Sequence, residues 1–108
     1  MNELKRKIES IEDEMQEALH RFDKNFDVLQ DYKHSLRRDI EKDYDIFHSL
    51  QQKDTNLHNY QHEFEYIMSE LEYDANQQIK VVERKLQAER DHIQHEYQQK
   101  IKQIEIKG

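Results

Sequence analysis

The segment Gln51-Gln52-Lys53-Asp54-Thr55-Asn56 separates two long series of periodically spaced apolar residues. It contains no apolar side chain, and its last three residues are types that cap helices and form turns. The chain has no proline, and its one glycine is Gly108, so neither residue can mark a turn inside the sequence. We therefore interpret residues 53–56 as the turn on the strength of the two series that flank it.

The series before this segment follows the alternating steps of four and three that define the a and d positions of a heptad helix. Its members are Leu4, Ile8, Ile11, Met15, Ala18, Phe22, Leu29, Tyr32, Leu36, Ile40, Tyr44 and Phe47. Asn25 occupies one d position, and around Ile40 the steps lengthen toward an 11-residue spacing, which relaxes supercoiling. The pattern predicts a helix over about residues 2–52.

The series after the segment has the same spacing and predicts a second helix over about residues 57–107. Its members are Leu57, Tyr60, Phe64, Ile67, Leu71, Ala75, Ile79, Val82, Leu86, Ile93, Tyr97, Ile101 and Ile104. Two helices of this kind give an all-α fold for residues 1–108.

The two series match each other if the chain reverses at Asp54, because facing residues then have numbers that add up to 107 or 108. Tyr44 faces Phe64 and Phe47 faces Tyr60 in this register, whereas Ala18 faces Arg90 in a weak layer. We therefore expect two long antiparallel helices that form a helical hairpin or coiled coil. The alternative is one continuous helix of about 160 Å, which would pair in the same way with a second chain.

Apolar residues also occupy several e positions of the first helix, namely Leu19, Phe26, Ile40 and Phe47. An apolar stripe broader than a and d is typical of larger bundles, so we expect the hairpin to pack against further helices. The expected protein interface comprises Leu19, Phe22, Phe26, Leu29, Ile40, Phe47, Phe64, Ile67 and Val82. The alternative is that these are ordinary scattered surface residues.

Charge is distributed unevenly along the chain, which has 17 basic and 24 acidic residues and a net charge of −7. This sign argues against general binding of nucleic acid or anionic membranes. Residues 39–79 contain ten acidic residues against two lysines, so the excess negative charge belongs to the turn end. Such a run is either a solvated face or a docking tip for a basic partner.

Two Glu-x-x-His sequences are the candidate metal-binding motifs of the chain. Glu17 and His20, like Glu89 and His92, have the Glu-x-x-His spacing of di-iron bundles, but the heptad turns the first pair away from the seam. The chain has no cysteine and no internal glycine for a phosphate-binding loop. We therefore expect no catalytic residues, no metal and no cofactor, and a protein that is not an enzyme.

Neither a signal-peptide h-region nor an apolar stretch long enough to cross a membrane is present in the sequence. We expect no membrane insertion. We expect the protein to be located in the cytoplasm, or to be exported by a route that needs no signal peptide.

An acidic, cysteine-free helical hairpin with apolar surface left over resembles the small helical proteins of bacterial type VII secretion. These include the WXG hairpins and the partners of LXG-domain toxins. The chain has no Trp, so the WXG motif itself is missing. Tyr66-Ile67-Met68-Ser69-Glu70 matches the Tyr-x-x-x-Asp/Glu export signal of that system, with Tyr66 and Glu70 at the fixed positions, although it lies within the second helix.

The resemblance implies a non-enzymatic targeting factor or chaperone that packs on the helical domain of a secreted toxin, together with a second small helical protein. The alternative is self-association as a homo-oligomeric coiled-coil scaffold or spacer in a phage or envelope assembly.

Overall fold

The computed structural model describes residues 2–107, and helices account for nearly all of them. Helix α1 spans Asn2–Lys53, a 3₁₀ helix spans Thr55–Tyr60, and helix α2 spans Gln61–Lys107. No strand occurs among the described residues. The all-α helical hairpin is thus confirmed, and the continuous helix is excluded by the break at Asp54. Met1 and Gly108, which the predicted hairpin included, lie outside the described residues.

The reversal is built around Asp54, which has an extended backbone with φ −134° and ψ 104°. Its carboxylate Oδ1 accepts a hydrogen bond of 3.0 Å from the backbone N–H of Asn56, as the cap of a helix does. Its own N–H donates to the carbonyl of Leu50 at 2.9 Å, and its carbonyl accepts from Leu57 at 3.2 Å. One extended, capped residue therefore turns the chain without glycine or proline.

The helix bounds differ from the prediction on both sides of this turn, by one residue before it and by four residues after it. The first helix ends at Lys53 rather than at 52, and the second α-helix begins at Gln61 rather than at 57. The cause is the cap at Asp54, which starts the tighter i to i+3 bonding of a 3₁₀ helix. This bonding continues to Tyr60, where Gln61 N–H donates to the carbonyl of His58.

The contacts divide the hairpin into two compact units. The terminal unit contains residues 2–28 and 83–107. Leu19 is its most buried side chain at 7% exposure, and the half-buried apolar residues along both segments follow the predicted seam. Arg90, which the prediction placed opposite Ala18 in a weak layer, is half-buried, and its Nε lies 3.5 Å from Oδ1 of the exposed Asp23.

The turn unit contains residues 29–82, with Ile40, Met68 and Ile79 as its buried apolar side chains. Its seam is rotated by one residue relative to the prediction at several places, of which Lys33 and Met68 are examples. Lys33 is half-buried while Tyr32 is 56% exposed, and Met68 is 6% exposed while Ile67 is 59% exposed. An α-helix advances 3.6 residues per turn, so a fixed 3.5-residue pattern drifts off the buried stripe unless the helix supercoils.

Aromatic contacts fix the register near the turn. Tyr44 contacts Phe64 edge-on with ring centroids 5.2 Å apart, as predicted. Phe47, however, stacks on the same Phe64 ring, whereas its predicted partner Tyr60 is 53% exposed. Residues of α1 near the turn therefore face residues further along the chain than predicted. The cause is the 3₁₀ helix, whose six residues precede α2 and belong to the turn rather than to the arm.

A series of side-chain hydrogen bonds links the two helices beside these aromatic rings. Gln51 is 4% exposed, and its Nε2 donates to Oε1 of Gln61. Nδ1 of His48 donates to Oε1 of Gln51 at 3.2 Å, and Nε2 of Gln61 donates to Glu65 at 2.6 Å. Buried amides that are paired in this way restrict the register of the two helices, because any slip would leave them unpaired.

Candidate protein-docking surface

The turn unit carries most of the exposed apolar area. Ten of its large apolar side chains are at least 44% exposed, whereas Val28 and Ile106 are the corresponding residues among those described in the terminal unit. Large contiguous apolar patches on a surface usually mark a contact site for another molecule. Whether the ten side chains form such a patch depends on the side of the turn unit on which each of them lies.

Seven of them lie on one side of the turn unit, and we call this set the apolar face. Most immediately precede a residue that faces the opposite helix, as Tyr32 precedes Lys33 and Ile67 precedes Met68. A residue at that position points about 100° away from the inward direction. In antiparallel helices, the positions before the inward residues lie on the same side of the pair. The apolar face consists of Tyr32, Ile46, Leu50, Tyr60, Ile67, Leu71 and Val82.

The opposite side of the turn unit is made by the residues that follow the inward positions, and all of them are polar. They are Gln30, His34, Arg37, Glu41, Asp45, His48, Gln52, His58, His62, Glu65, Ser69, Asn76 and Lys80. Each of these residues is exposed. The exposed apolar area of the turn unit is therefore asymmetric, with an apolar face on one side and a polar side opposite.

Carboxylates interrupt the apolar face. Asp39, Asp43, Glu63 and Asp74 each precede an inward residue and are exposed, and no lysine or arginine of the turn unit occupies such a position. Within residues 2–107, Asp39, Asp43 and Asp74 take part in no ion pair and no side-chain hydrogen bond. The face therefore combines apolar area with unneutralised negative charge.

The structure separates the predicted interface residues into three groups. Leu19 and Ile40, each 7% exposed, belong to the core and are not free for docking. Phe22, Phe26, Leu29, Phe47 and Phe64 are half-buried along the seam between the helices. Ile67 and Val82 are exposed on the apolar face. Leu19 was predicted at an e position outside the seam, so its burial assigns that part of the broad stripe to the core.

The sequence pattern missed most of the apolar face. Tyr32, Tyr60 and Leu71 were assigned to the seam, and Ile46 lay off it. One available signal was the adjacent pair Ile67-Met68, because two neighbouring residues cannot both face the other helix.

The positions of the predicted export signal are accessible. Tyr66 is 68% exposed and Glu70 is also exposed, one turn further along α2. Both lie on the side of α2 directed away from α1, as follows from their spacing relative to Met68.

The histidines do not assemble a metal centre in the described part of the chain. His92 pairs with Glu96 on its own helix at 3.0 Å, and both side chains are more than half exposed. No group of three or more His, Cys, Asp or Glu residues within 2–107 is arranged to hold a metal ion. No helix over the same residues is long and apolar enough to cross a membrane.

No protein-family model, curated protein or solved structure matches the chain at a significant level. The apolar face and its charge are therefore the features of the chain that bear on its function.

Proposed function

We propose that this protein is a non-enzymatic helical binding protein whose apolar face packs against a helix of a protein partner. The observation that carries the proposal is the asymmetry of the turn unit. Large apolar side chains are exposed on one side, and the residues opposite them are all polar. Covering the apolar side with a helix removes apolar area from water at about 25 cal/mol per Å² and turns the two-helix hairpin into a three-helix bundle.

The resemblance to type VII secretion proteins suggests the class of partner. We infer that the partner is the helical domain of a secreted toxin, which this protein keeps soluble and accompanies to the export machinery. Tyr66 and Glu70 would then serve as the export signal. Their exposure on a different side of α2 supports this role, because a helix on the apolar face would leave them accessible.

Self-association as a structural coiled coil is the second candidate. Two copies that meet through their apolar faces would form a four-helix bundle with two-fold symmetry. The same exposed residues, Ile67 and Leu71 among them, would then be the interface.

Co-expression with the product of an adjacent LXG-domain toxin gene tests the proposal. We expect the toxin's helical domain to co-purify with the wild-type chain and to be lost from the double variant Ile67→Ser with Leu71→Ser. The matched control is Tyr73→Ser with Val81→Ser, which removes exposed apolar residues of α2 outside the apolar face. Retention of the toxin by both variants would contradict docking on this face. A chain that is a stable dimer without the toxin would favour self-association.

A further inference from the structure

We propose that the helix docked on the apolar face is basic, with lysine or arginine residues bordering its apolar stripe. This inference rests on the proposed function, since it assumes that the apolar face is a docking surface. It adds the chemistry by which the face selects its partner.

Heptad spacing shows that carboxylates stand where an uninterrupted apolar face would have apolar residues. On α1, Asp39 lies seven residues from both Tyr32 and Ile46, and Asp43 lies seven residues before Leu50. On α2, Asp74 lies seven residues after Ile67. Residues separated by seven positions occupy the same side of a helix. The carboxylates therefore belong to the surface that the partner would cover.

These carboxylates come from both helices at one level of the hairpin. The stacking of Phe47 on Phe64 and the hydrogen bond of Gln51 to Gln61 set the register of the turn unit. When that register is continued along the two helices, Asp39 on α1 lies within about one helical turn of the level of Asp74 on α2. A partner helix that lies along the face would approach carboxylates from both arms.

Covering unneutralised carboxylates is costly unless opposite charges meet them. Among residues 2–107 no basic residue does so, because Asp39, Asp43 and Asp74 make no ion pair there. Lysine or arginine residues on the partner would supply the missing charges, accelerate association and make it sensitive to salt.

A second copy of this chain is a poor source of the basic residues that the carboxylates of the face require. Two-fold pairing through the apolar face would bring carboxylates of the same kind together. Residues 39–79 of each copy carry ten acidic residues and only two lysines. Like charges across an interface oppose association. A basic helical partner is the occupant that both the apolar and the charged residues of the face fit.

Two synthetic probe peptides of four heptads each test the inference with the full-length protein. Both have leucine at a and d, and one has lysine and the other glutamate at all e and g positions, so that like charges oppose pairing of each peptide with itself. Binding is measured by fluorescence anisotropy of the labelled peptide at low and at physiological salt. We expect the lysine peptide to bind at least about tenfold more tightly than the glutamate peptide, by a margin that shrinks with salt.

Variants that remove carboxylates test whether the preference for the lysine peptide comes from the apolar face. Asp39→Asn, Asp43→Asn and Asp74→Asn together should weaken binding of the lysine peptide about tenfold. The matched control is Glu41→Gln, Asp45→Asn and Glu72→Gln, which removes the same charge from exposed positions outside the face and should change binding less than about twofold. Circular dichroism of both triple variants checks that the helices are retained.

Three results would overturn the inference. Equal binding of both peptides, lost in Ile67→Ser with Leu71→Ser, would leave the docking surface standing but remove its preference for basic partners. Equal weakening by the two triple variants would show that net charge, not the face, attracts the lysine peptide. Binding of neither peptide would show that the face does not take a basic helix, and sedimentation of the same sample would identify a second copy as its occupant if the chain is dimeric.

Discussion

Phe47 and Phe64 stack with their ring centroids 4.0 Å apart and their planes within 10° of parallel. The rings of Tyr44 and Phe64 meet in a T-shaped arrangement, so residues from two successive turns of α1 contact one residue of α2. Aromatic pairs contribute about 0.5–1.5 kcal/mol beyond the area that they bury. This aromatic cluster helps to fix the register on which the position of the apolar face depends.

Phe64→Leu should lower the free energy of unfolding by about 1 kcal/mol, because leucine keeps apolar volume but loses the ring contacts. Urea unfolding followed by circular dichroism at 222 nm measures the loss. In a double-mutant cycle with Phe47→Leu we expect a coupling energy of about 0.5–1.5 kcal/mol. The exposed Tyr73→Leu serves as the control and should change stability by less than about 0.5 kcal/mol. Purely additive effects of the two phenylalanine variants would argue against the stack.

Gln51→Ala should destabilise the hairpin by about 1–3 kcal/mol, because it leaves the amide of Gln61 without its buried partner. The neighbouring Gln52→Ala, at an exposed position, should change stability by less than about 0.5 kcal/mol. Replacing both partners, in Gln51→Leu with Gln61→Leu, should recover most of the loss, since no unpaired amide remains. Thermal melting of the four proteins distinguishes these outcomes, and equal melting of the two alanine variants would contradict a buried amide pair.

Ile40→Ala and Ile46→Ala compare a core residue with a residue of the apolar face on the same helix. Ile40 is 7% exposed, and its truncation should cost at least about 2 kcal/mol. Ile46 is 52% exposed, and its truncation should cost less than about 0.5 kcal/mol while weakening partner binding. Urea unfolding gives both stabilities. A larger loss for Ile46→Ala than for Ile40→Ala would contradict the inward position of Ile40 and the exposed position of Ile46.

Asp54→Ala should cost about 1 kcal/mol, because the backbone N–H of Asn56 loses its acceptor at the start of the 3₁₀ helix. Asp54→Asn retains a capping oxygen and should stay within about 0.5 kcal/mol of wild type. Hydrogen exchange at the amides of residues 55–60 gives a local readout, and it should accelerate in the alanine variant alone. Unchanged exchange there would show that the cap does not hold the turn.

Heptad spacing was sufficient to predict two helices, their reversal near Asp54 and the contact of Tyr44 with Phe64. It could not predict the rotation of the seam, because neighbouring residues such as Ile67 and Met68 are both apolar. Which of the two faces inward depends on the geometry of the turn, and the length of the 3₁₀ helix is set by hydrogen bonds around Asp54 that leave no periodic signature.

The rotation also explains why the exposed apolar residues of the turn unit differ from those that the heptad pattern left outside the seam. Residues expected in the seam, such as Tyr32 and Tyr60, lie on the apolar face, while Leu19 and Ile40 occupy the core. Lys33 is half-buried at a place where an apolar residue would ordinarily be sought, and the aliphatic part of a lysine side chain can cover apolar neighbours there. The acidic character of residues 39–79 was visible in the sequence, but its combination with the apolar face required the register.

The 3₁₀ segment Thr55–Tyr60 also restricts how the gene can change length. One codon inserted there would rotate α2 by about 100° and place Ile67 where Met68 now lies, exchanging part of the apolar face with the core. Seven codons added at facing points of both arms would leave every inward residue in place. Descendants of this protein should therefore differ by paired heptads in the arms and keep the number of residues in the turn unchanged.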